Sequence, residues 1–258
     1  MILYFSGTGN CLSIARQIAE NTSEQVMTFY EATKLDLSRH SVVGLVYPSY
    51  YFNAPTPVVE LTKQLTISPD AYVFIVVPCG AQTGNSVWSV EQILKHKGIK
   101  VAYCNKIRVP DCSAIGFGRN PNDQKWKFNK YAQRLQTIIK DIKERRHSKH
   151  FGAWGIAGWF CSLTWMKRYT KPLLQPQVNT RKCIGCNTCV SICPQNNISI
   201  ADLPQNKFAF IGDNCAQCLR CVHFCPKQAI EIAGKPTPKE HQYHNPDVKL
   251  KNLLEEKL

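Results

Sequence analysis

The chain has 258 residues, 44% of them hydrophobic and 19% charged, enough apolar material for two packed domains and too much for a disordered chain. Its formal net charge is +14, yet no recognised nucleic-acid-binding motif accompanies that charge, so nucleic acid is not an expected partner. Met1 leads straight into the strand-like Ile2-Leu3-Tyr4-Phe5 with no charged leader region, and the expected compartment is the cytoplasm, where thiols stay reduced.

From residue 1 to about 147, β-rich apolar runs alternate with helical patterns. The runs are Ile2 to Phe5, Gln25 to Phe29, Val42 to Tyr47, Tyr72 to Val77 and Val101 to Val109; the helical patterns cover 10–22, 55–66, 84–97 and 123–147. Strands buried on both faces read as continuous hydrophobic stretches, so the fold class expected is α/β, a doubly wound parallel sheet. The stretch Tyr30 to Ser41 is too short for a normal second helix.

In such a sheet, ligands bind beyond the carboxyl ends of the strands. The first of those loops is Ser6-Gly7-Thr8-Gly9-Asn10-Cys11, opening a helix. Glycines, hydroxyl donors and a helix N-terminus make a phosphate cradle, though it is neither a Walker A loop nor a full dinucleotide fingerprint. An ordinary Gly-rich turn is the plainer reading. The loop Pro48-Ser49-Tyr50-Tyr51-Phe52-Asn53 carries three consecutive aromatics, and Cys79-Gly80-Ala81-Gln82-Thr83-Gly84-Asn85 is small and polar. Together they could form an aromatic wall and a polar edge for a flat ring, although aromatics in a loop more often pack locally.

Residues 119–171 hold 13 Lys and Arg against 3 Asp and Glu. A solvated helix face explains this as well as a docking patch for an acidic redox protein does. Tyr131, Leu135, Ile138 and Ile142 form an apolar stripe, with Lys127, Lys130, Arg134 and Lys143 directed elsewhere. Phe151 to Met166 carries no charge but falls short of the roughly 20 residues a membrane span needs, so no transmembrane segment is expected. It reads as an apolar plug packed between the two domains, with interfacial membrane contact as the alternative. Val248 to Leu258 reads as a short amphipathic tail helix docked on the body.

Eight cysteines then fall into two runs of identical spacing, Cys183-x2-Cys186-x2-Cys189-x3-Cys193-Pro194 and Cys215-x2-Cys218-x2-Cys221-x3-Cys225-Pro226. Disulfides or zinc also use C-x2-C pairs, but the doubled run is not the usual zinc signature. It is similar to the two-cluster bacterial ferredoxins, in which the fourth cysteine of each run serves the other cluster. The similarity implies one [4Fe-4S] cluster on Cys183, Cys186, Cys189 and Cys225, and a second on Cys215, Cys218, Cys221 and Cys193. His223, between two of these cysteines, reads as an exposed loop histidine rather than a group that tunes the cluster. Cys104, Cys112 and Cys161 read as structural; Cys79 lies in a candidate flavin loop.

Residues 1–147 resemble a flavodoxin, loosely at 1–11, 48–55 and 78–85, and the whole chain resembles the flavodoxin-ferredoxin fusion proteins, most closely over 183–226. The resemblance implies FMN and two [4Fe-4S] clusters. Cys11 departs from it, standing where flavodoxins usually carry Thr or Ser. The implied organisation is a flavodoxin-like domain at 1–150, a connector at 151–176, an α+β ferredoxin domain at 177–234 and a tail at 235–258. Three activities are compatible with it: electron transfer to a redox partner, flavin-dependent reduction of a small oxidant, and cluster-based redox sensing without flavin. An anaerobic source fits oxygen-labile clusters.

Overall fold

The computed structural model describes residues 1–124, 127–148, 172–203 and 206–254. The described residues of Met1–Ser6, Asn10–Val109 and Trp126–Lys167 form one unit, and those of Gly7–Gly9, Pro110–Lys125 and Arg168–Leu258 the other.

In chain order the first unit holds β1 (Ile2–Tyr4), α1 (Asn10–Thr22), β2 (Val26–Thr28), α2 (Phe29–Ala32), β3 (Asp36–Leu37), β4 (Val42–Val46), α3 (Thr56–Gln64), β5 (Thr66–Ile67), β6 (Tyr72–Cys79), α4 (Ser86–His96), β7 (Val101–Arg108) and α5 (Lys127–Lys143). Five strands make one parallel sheet in the order β2-β1-β4-β6-β7. Counting only those strands, the order is 2-1-3-4-5, the flavodoxin-like doubly wound arrangement. Every residue of β6 is buried, as a central strand covered on both faces requires. Gly44 in β4 lets Phe74 close over the sheet, because a Cβ there would lie 2.2 Å from that ring.

Helices pack through their apolar faces. Leu12, Ile14, Ala15 and Ile18 of α1 are buried, as are Leu135, Ile138, Ile139 and Ile142 of α5. Lys130, Arg134 and Lys143 are exposed. The helical pattern expected over 123–147 splits into a 3-10 turn at Pro121–Gln124 and α5. The short stretch after β2 forms only the four-residue α2, closed by a capping box in which Thr28 and Glu31 satisfy each other's backbone N–H groups. It then adds β3, which pairs in parallel with β5.

The second unit contains a 3-10 turn at Cys112–Phe117, then β8 (Pro176–Val178), α6 (Thr188–Ile192), β9 (Ile198–Leu203), β10 (Asn206–Ile211), α7 (Arg220–Phe224), β11 (Ile230–Ile232) and α8 (Leu250–Leu254). Two antiparallel pairs, β8 with β11 and β9 with β10, frame the two short helices. The cysteine repeat extends to the backbone. Asn187 and Leu219, one before each helix, have φ of 63° and 57°; Gly185 and Gln217 match at 62° and 53°, and Asn196 and Gln228 at 46° and 48°.

Gly7–Gly9 and the described residues of Pro110–Lys125 group with the C-terminal residues, whereas those of Trp126–Lys167 group with the first unit. Phe151 to Met166, Cys161 and most of the 151–176 connector lie outside the described residues. Among the described residues no helix is long and apolar enough to cross a membrane.

Candidate functional site

Cys183, Cys186, Cys189 and Cys225 line one cavity; Cys193, Cys215, Cys218 and Cys221 line another. Each thus draws three cysteines from one half of the repeat and the fourth from the other half, because α6 and α7 end at Cys193 and Cys225 in matching extended conformations, φ −68° and −69°. No disulfide links any of the eight. Among the described residues no group of three or more His, Cys, Asp or Glu side chains is placed to hold a single metal ion. Each set instead lines a cavity of its own.

Backbone donors point at the sulfurs. The N–H groups of Ala209 and Ala229 approach Cys183 Sγ and Cys225 Sγ at 3.4 and 3.2 Å, and those of Asn197 and Gln217 approach Cys193 Sγ and Cys215 Sγ, both at 3.4 Å. Such bonds favour the thiolate and shift a bound cluster toward its reduced form. Burial works the other way. It pushes the Cys189 and Cys218 thiols up to about 11 each and holds Cys221 well above the ordinary range. Thiolates here need nearby positive charge, and metal binding would release protons.

The exposures of the two sets differ. Cys186 is the exposed cysteine of the eight, and neighbouring Ile184 is 56% exposed. Around the second set, Arg220 is 1% exposed and its guanidinium donates to the carbonyl oxygens of Gly7 at 3.1 Å, Ile192 at 3.0 Å and Leu253 at 3.3 Å. His223 corrects the expectation of an exposed loop histidine. The turn of α7 carries it inward, where Nδ1 accepts from the Tyr243 N–H at 3.0 Å, leaving Nε2 to donate to the Cys112 carbonyl at 3.1 Å. Burial lowers its pKa to about 4, so the ring is neutral.

The first unit joins two of the loops singled out from sequence. Tyr50 and Asn53 bond reciprocally through their backbones at 2.8 and 2.9 Å, forcing Tyr51 and Phe52 to φ of 50° and 59°. The Phe52 carbonyl accepts from the Asn85 N–H at 2.7 Å, and Ser49 Oγ donates to the Thr83 carbonyl at 3.1 Å. Gly84, φ 53°, sits so close beneath Phe52 that a Cβ would lie 2.3 Å from its carbonyl oxygen. Pro48 to Asn53 and Cys79 to Asn85 therefore form one braced structure at the carboxyl ends of β4 and β6. Tyr50 packs edge-on against Phe5, Phe52 stays 39% exposed and Cys79 is buried.

Within the second unit, the middle of the glycine loop is tightly engaged. Thr8 Oγ1 lies 2.9 Å from Cys112 Sγ, the Thr8 carbonyl accepts from the Asn245 N–H at 2.8 Å, and a Cβ on Gly9 (φ 94°) would lie 2.8 Å from Val248 Cβ. The flanking Ser6, Asn10 and Cys11 are also buried. The roles of Asn245, Val248 and Arg220 carried no local signal in the sequence.

The model of the 4Fe-4S dicluster domain matches residues 182–244. The chain joins a flavodoxin-like sheet to a 4Fe-4S dicluster domain. No curated protein matches it. Among solved structures, the first unit's region is similar to a protein described as a flavoprotein from Bacteroides uniformis, with 13% identity, TM-score 0.34 and coverage of 42% of this chain and 88% of that one. The two-electron reduced flavodoxin of Megasphaera elsdenii gives 20% identity and TM-score 0.34 over 41% and 82% of the two chains. The Trp repressor binding protein from Bacillus subtilis gives 9%, 0.30, 42% and 81%. At scores of this size the likeness adds no argument, and the flavodoxin-like assignment rests on the strand order.

The flavodoxin-like unit offers FMN a braced aromatic loop and small residues opposite it, beyond the carboxyl ends of β4 and β6 and next to the β1–β4 switch point of the sheet. The dicluster domain offers sulfur donors of the type iron requires. Both groups fit the residues present.

Proposed function

We propose that this chain carries single electrons between an external redox protein and a bound FMN by way of two [4Fe-4S] clusters. The observation that carries the reading is the division of eight thiols into two sets of four, each completed by a cysteine from the other half of the repeat. Clusters held there would exchange one electron at a time, and a flavin would convert between one- and two-electron chemistry. The residues supply everything else. Cys183, Cys186, Cys189 and Cys225 would hold one cluster and Cys193, Cys215, Cys218 and Cys221 the other, with the backbone donors steadying the sulfurs. Exposed Cys186 supports entry at the first set. Ser6 to Cys11 would bind the FMN phosphate, Tyr50, Tyr51 and Phe52 would wall the ring, and Gly80, Ala81, Gly84 and Asn85 would meet its polar edge.

The basic face of α5, with Lys130 and Arg134 exposed, supports docking by an acidic partner. The exposure of Phe52 favours a second reading in which a small oxidant reaches the flavin directly.

Anaerobic purification followed by iron, sulfide and flavin analysis tests the proposal: about eight irons, eight sulfides and one FMN per chain are expected. Iron without flavin, even after incubation with excess FMN, would leave cluster-based sensing as the better account. Zinc in place of iron would end the electron-transfer reading.

A further inference from the structure

Arg220 breaks the symmetry of the repeat. It stands one residue before the third cysteine of its run, where the first run has Thr188. The backbones match at the preceding positions, Asn187 and Leu219, so the two side chains start from equivalent places. Thr188 is a neutral hydroxyl whose Oγ1 lies 3.4 Å from Cys186 Sγ. Arg220 brings a permanent cation into a buried site, lines the cavity of Cys193, Cys215, Cys218 and Cys221, and is fixed by bonds to three backbone carbonyls.

Cations near the first set are of another kind. Lys227, which lines that cavity, is exposed, and Lys182 and Lys207 are 45% and 50% exposed and paired with Glu231 and Asp202. Solvent and partner charge screen them, whereas a buried guanidinium is screened far less. Reducing a [4Fe-4S] cluster adds one negative charge, and cluster potential responds to nearby charge and solvent exposure. The cation therefore favours the reduced form at one set and not the other.

We infer that Arg220 is a positioning residue that makes the Cys193, Cys215, Cys218 and Cys221 set the higher-potential cluster site of the two. With clusters held at both sets, the set beside Arg220 would be the electron acceptor for the set that includes exposed Cys186, so transfer would run inward. This rests on the two-cluster reading above.

The test is an anaerobic potentiometric titration of the loaded full chain, followed by electron paramagnetic resonance, with iron counted in every sample. In the wild type, two signals should differ at least tenfold in their reduced-to-oxidised ratio at a common potential, about 59 mV for one electron. The higher-potential signal should be the one lost in Cys193→Ser. Arg220→Gln should lower that midpoint by a similar amount and leave the other within twofold; Arg220→Lys, which keeps the charge, should restore it. Equal midpoints in the wild type, or a higher midpoint for the signal that survives in Cys193→Ser, would overturn the inference even if Arg220→Gln fails to load. So would a Gln variant that shifts both signals together or neither. An iron count near four in the wild type would instead remove the two-cluster reading, and this inference with it.

Discussion

Asn187 and Leu219 hold the same left-handed backbone position at the heads of α6 and α7, with φ of 63° and 57°. Left-handed backbone costs a non-glycine residue about 1–2 kcal/mol, and asparagine tolerates it better than leucine. Leu219 accepts the strain because its side chain is 3% exposed, while Asn187 stands in solvent. Removing a buried leucine side chain costs about 2–5 kcal/mol, more than the strain relieved. Leu219→Gly should therefore destabilise by roughly 1–3 kcal/mol and Asn187→Gly by less than about 0.5. Urea titration followed by far-ultraviolet circular dichroism, under anaerobic conditions, checks the pair. Similar losses at both sites would mean that burial of Leu219 does not hold the turn.

Crossing of the fourth cysteine gives a second expectation. Cys225→Ser should disturb the cluster site of Cys183, Cys186 and Cys189, thirty or more positions earlier in the sequence, and spare the site that α7 itself begins. Cys193→Ser should do the reverse. Each variant should lose up to about four irons and one resonance signal. A variant that loses the signal of its own three neighbouring cysteines would contradict the crossing.

Much of the fold was legible because its information is local. Continuous apolar runs marked all five sheet strands, and the pattern over 10–22 gave α1 at its observed bounds. The short Tyr30 to Ser41 stretch correctly left no room for a full helix. Features set by distant residues were not legible. Nothing beside His223 in sequence says that α7 will turn it toward Cys112, and nothing near Gly7 anticipates Arg220. A glycine-rich strand-to-helix turn looks the same whether its middle faces solvent or packs against Asn245 and Val248. Contacts of that range leave no period and no motif.

Cys104 supplies a pH expectation. Burial, aided by the charge of Glu91, pushes its thiol up to about 12 from an ordinary 9.0. Between those values the unfolded chain has released the proton and the folded chain has kept it, so stability is whole below pH 9 and falls as pH rises toward 12. The slope is about 1.4 kcal/mol per pH unit. Cys104→Ala should flatten that alkaline fall relative to wild type in urea titrations at pH 8 and 10.5. Equal slopes would show that the thiol ionises as readily in the folded protein as in the unfolded chain.

The glycine loop can be probed through Gly9. A side chain there meets both a φ of 94° and Val248 Cβ at 2.8 Å, so Gly9→Ala should destabilise the protein by about 1–3 kcal/mol and weaken FMN binding at least tenfold. Thr8→Val should weaken binding less, through one lost donor worth about 1 kcal/mol. Cys11→Thr, restoring a hydroxyl, should preserve or tighten it. Quenching of FMN fluorescence is the readout. Unchanged affinity in Gly9→Ala would remove this loop from the flavin site.

Docking on the basic face predicts a salt-dependent rate. Charges steer association only within a screening length of about 8 Å at physiological ionic strength. Replacing Lys127, Lys130 and Arg134 by Glu should slow electron delivery from an acidic ferredoxin several-fold and flatten its salt dependence, while reduction by a neutral dye stays the same. Stopped-flow measurement at several salt concentrations separates the cases; an unaltered rate with the acidic partner would favour direct reduction of a small oxidant.

The bond from Arg220 to the Gly7 carbonyl spans 213 positions of the chain. A ribosome adding about 5–20 residues per second needs roughly ten to forty seconds to cover that distance, long compared with the microseconds in which a helix such as α1 forms. During that interval the glycine loop exists without the groups that later hold it, and β1 and α1 can fold around a loop that is still unset. Iron-site assembly near α7 and the final shaping of the loop are thereby tied to the same late event in synthesis. On the function proposed above, a nascent chain that captured flavin early would have to do so on a loop lacking its clamp.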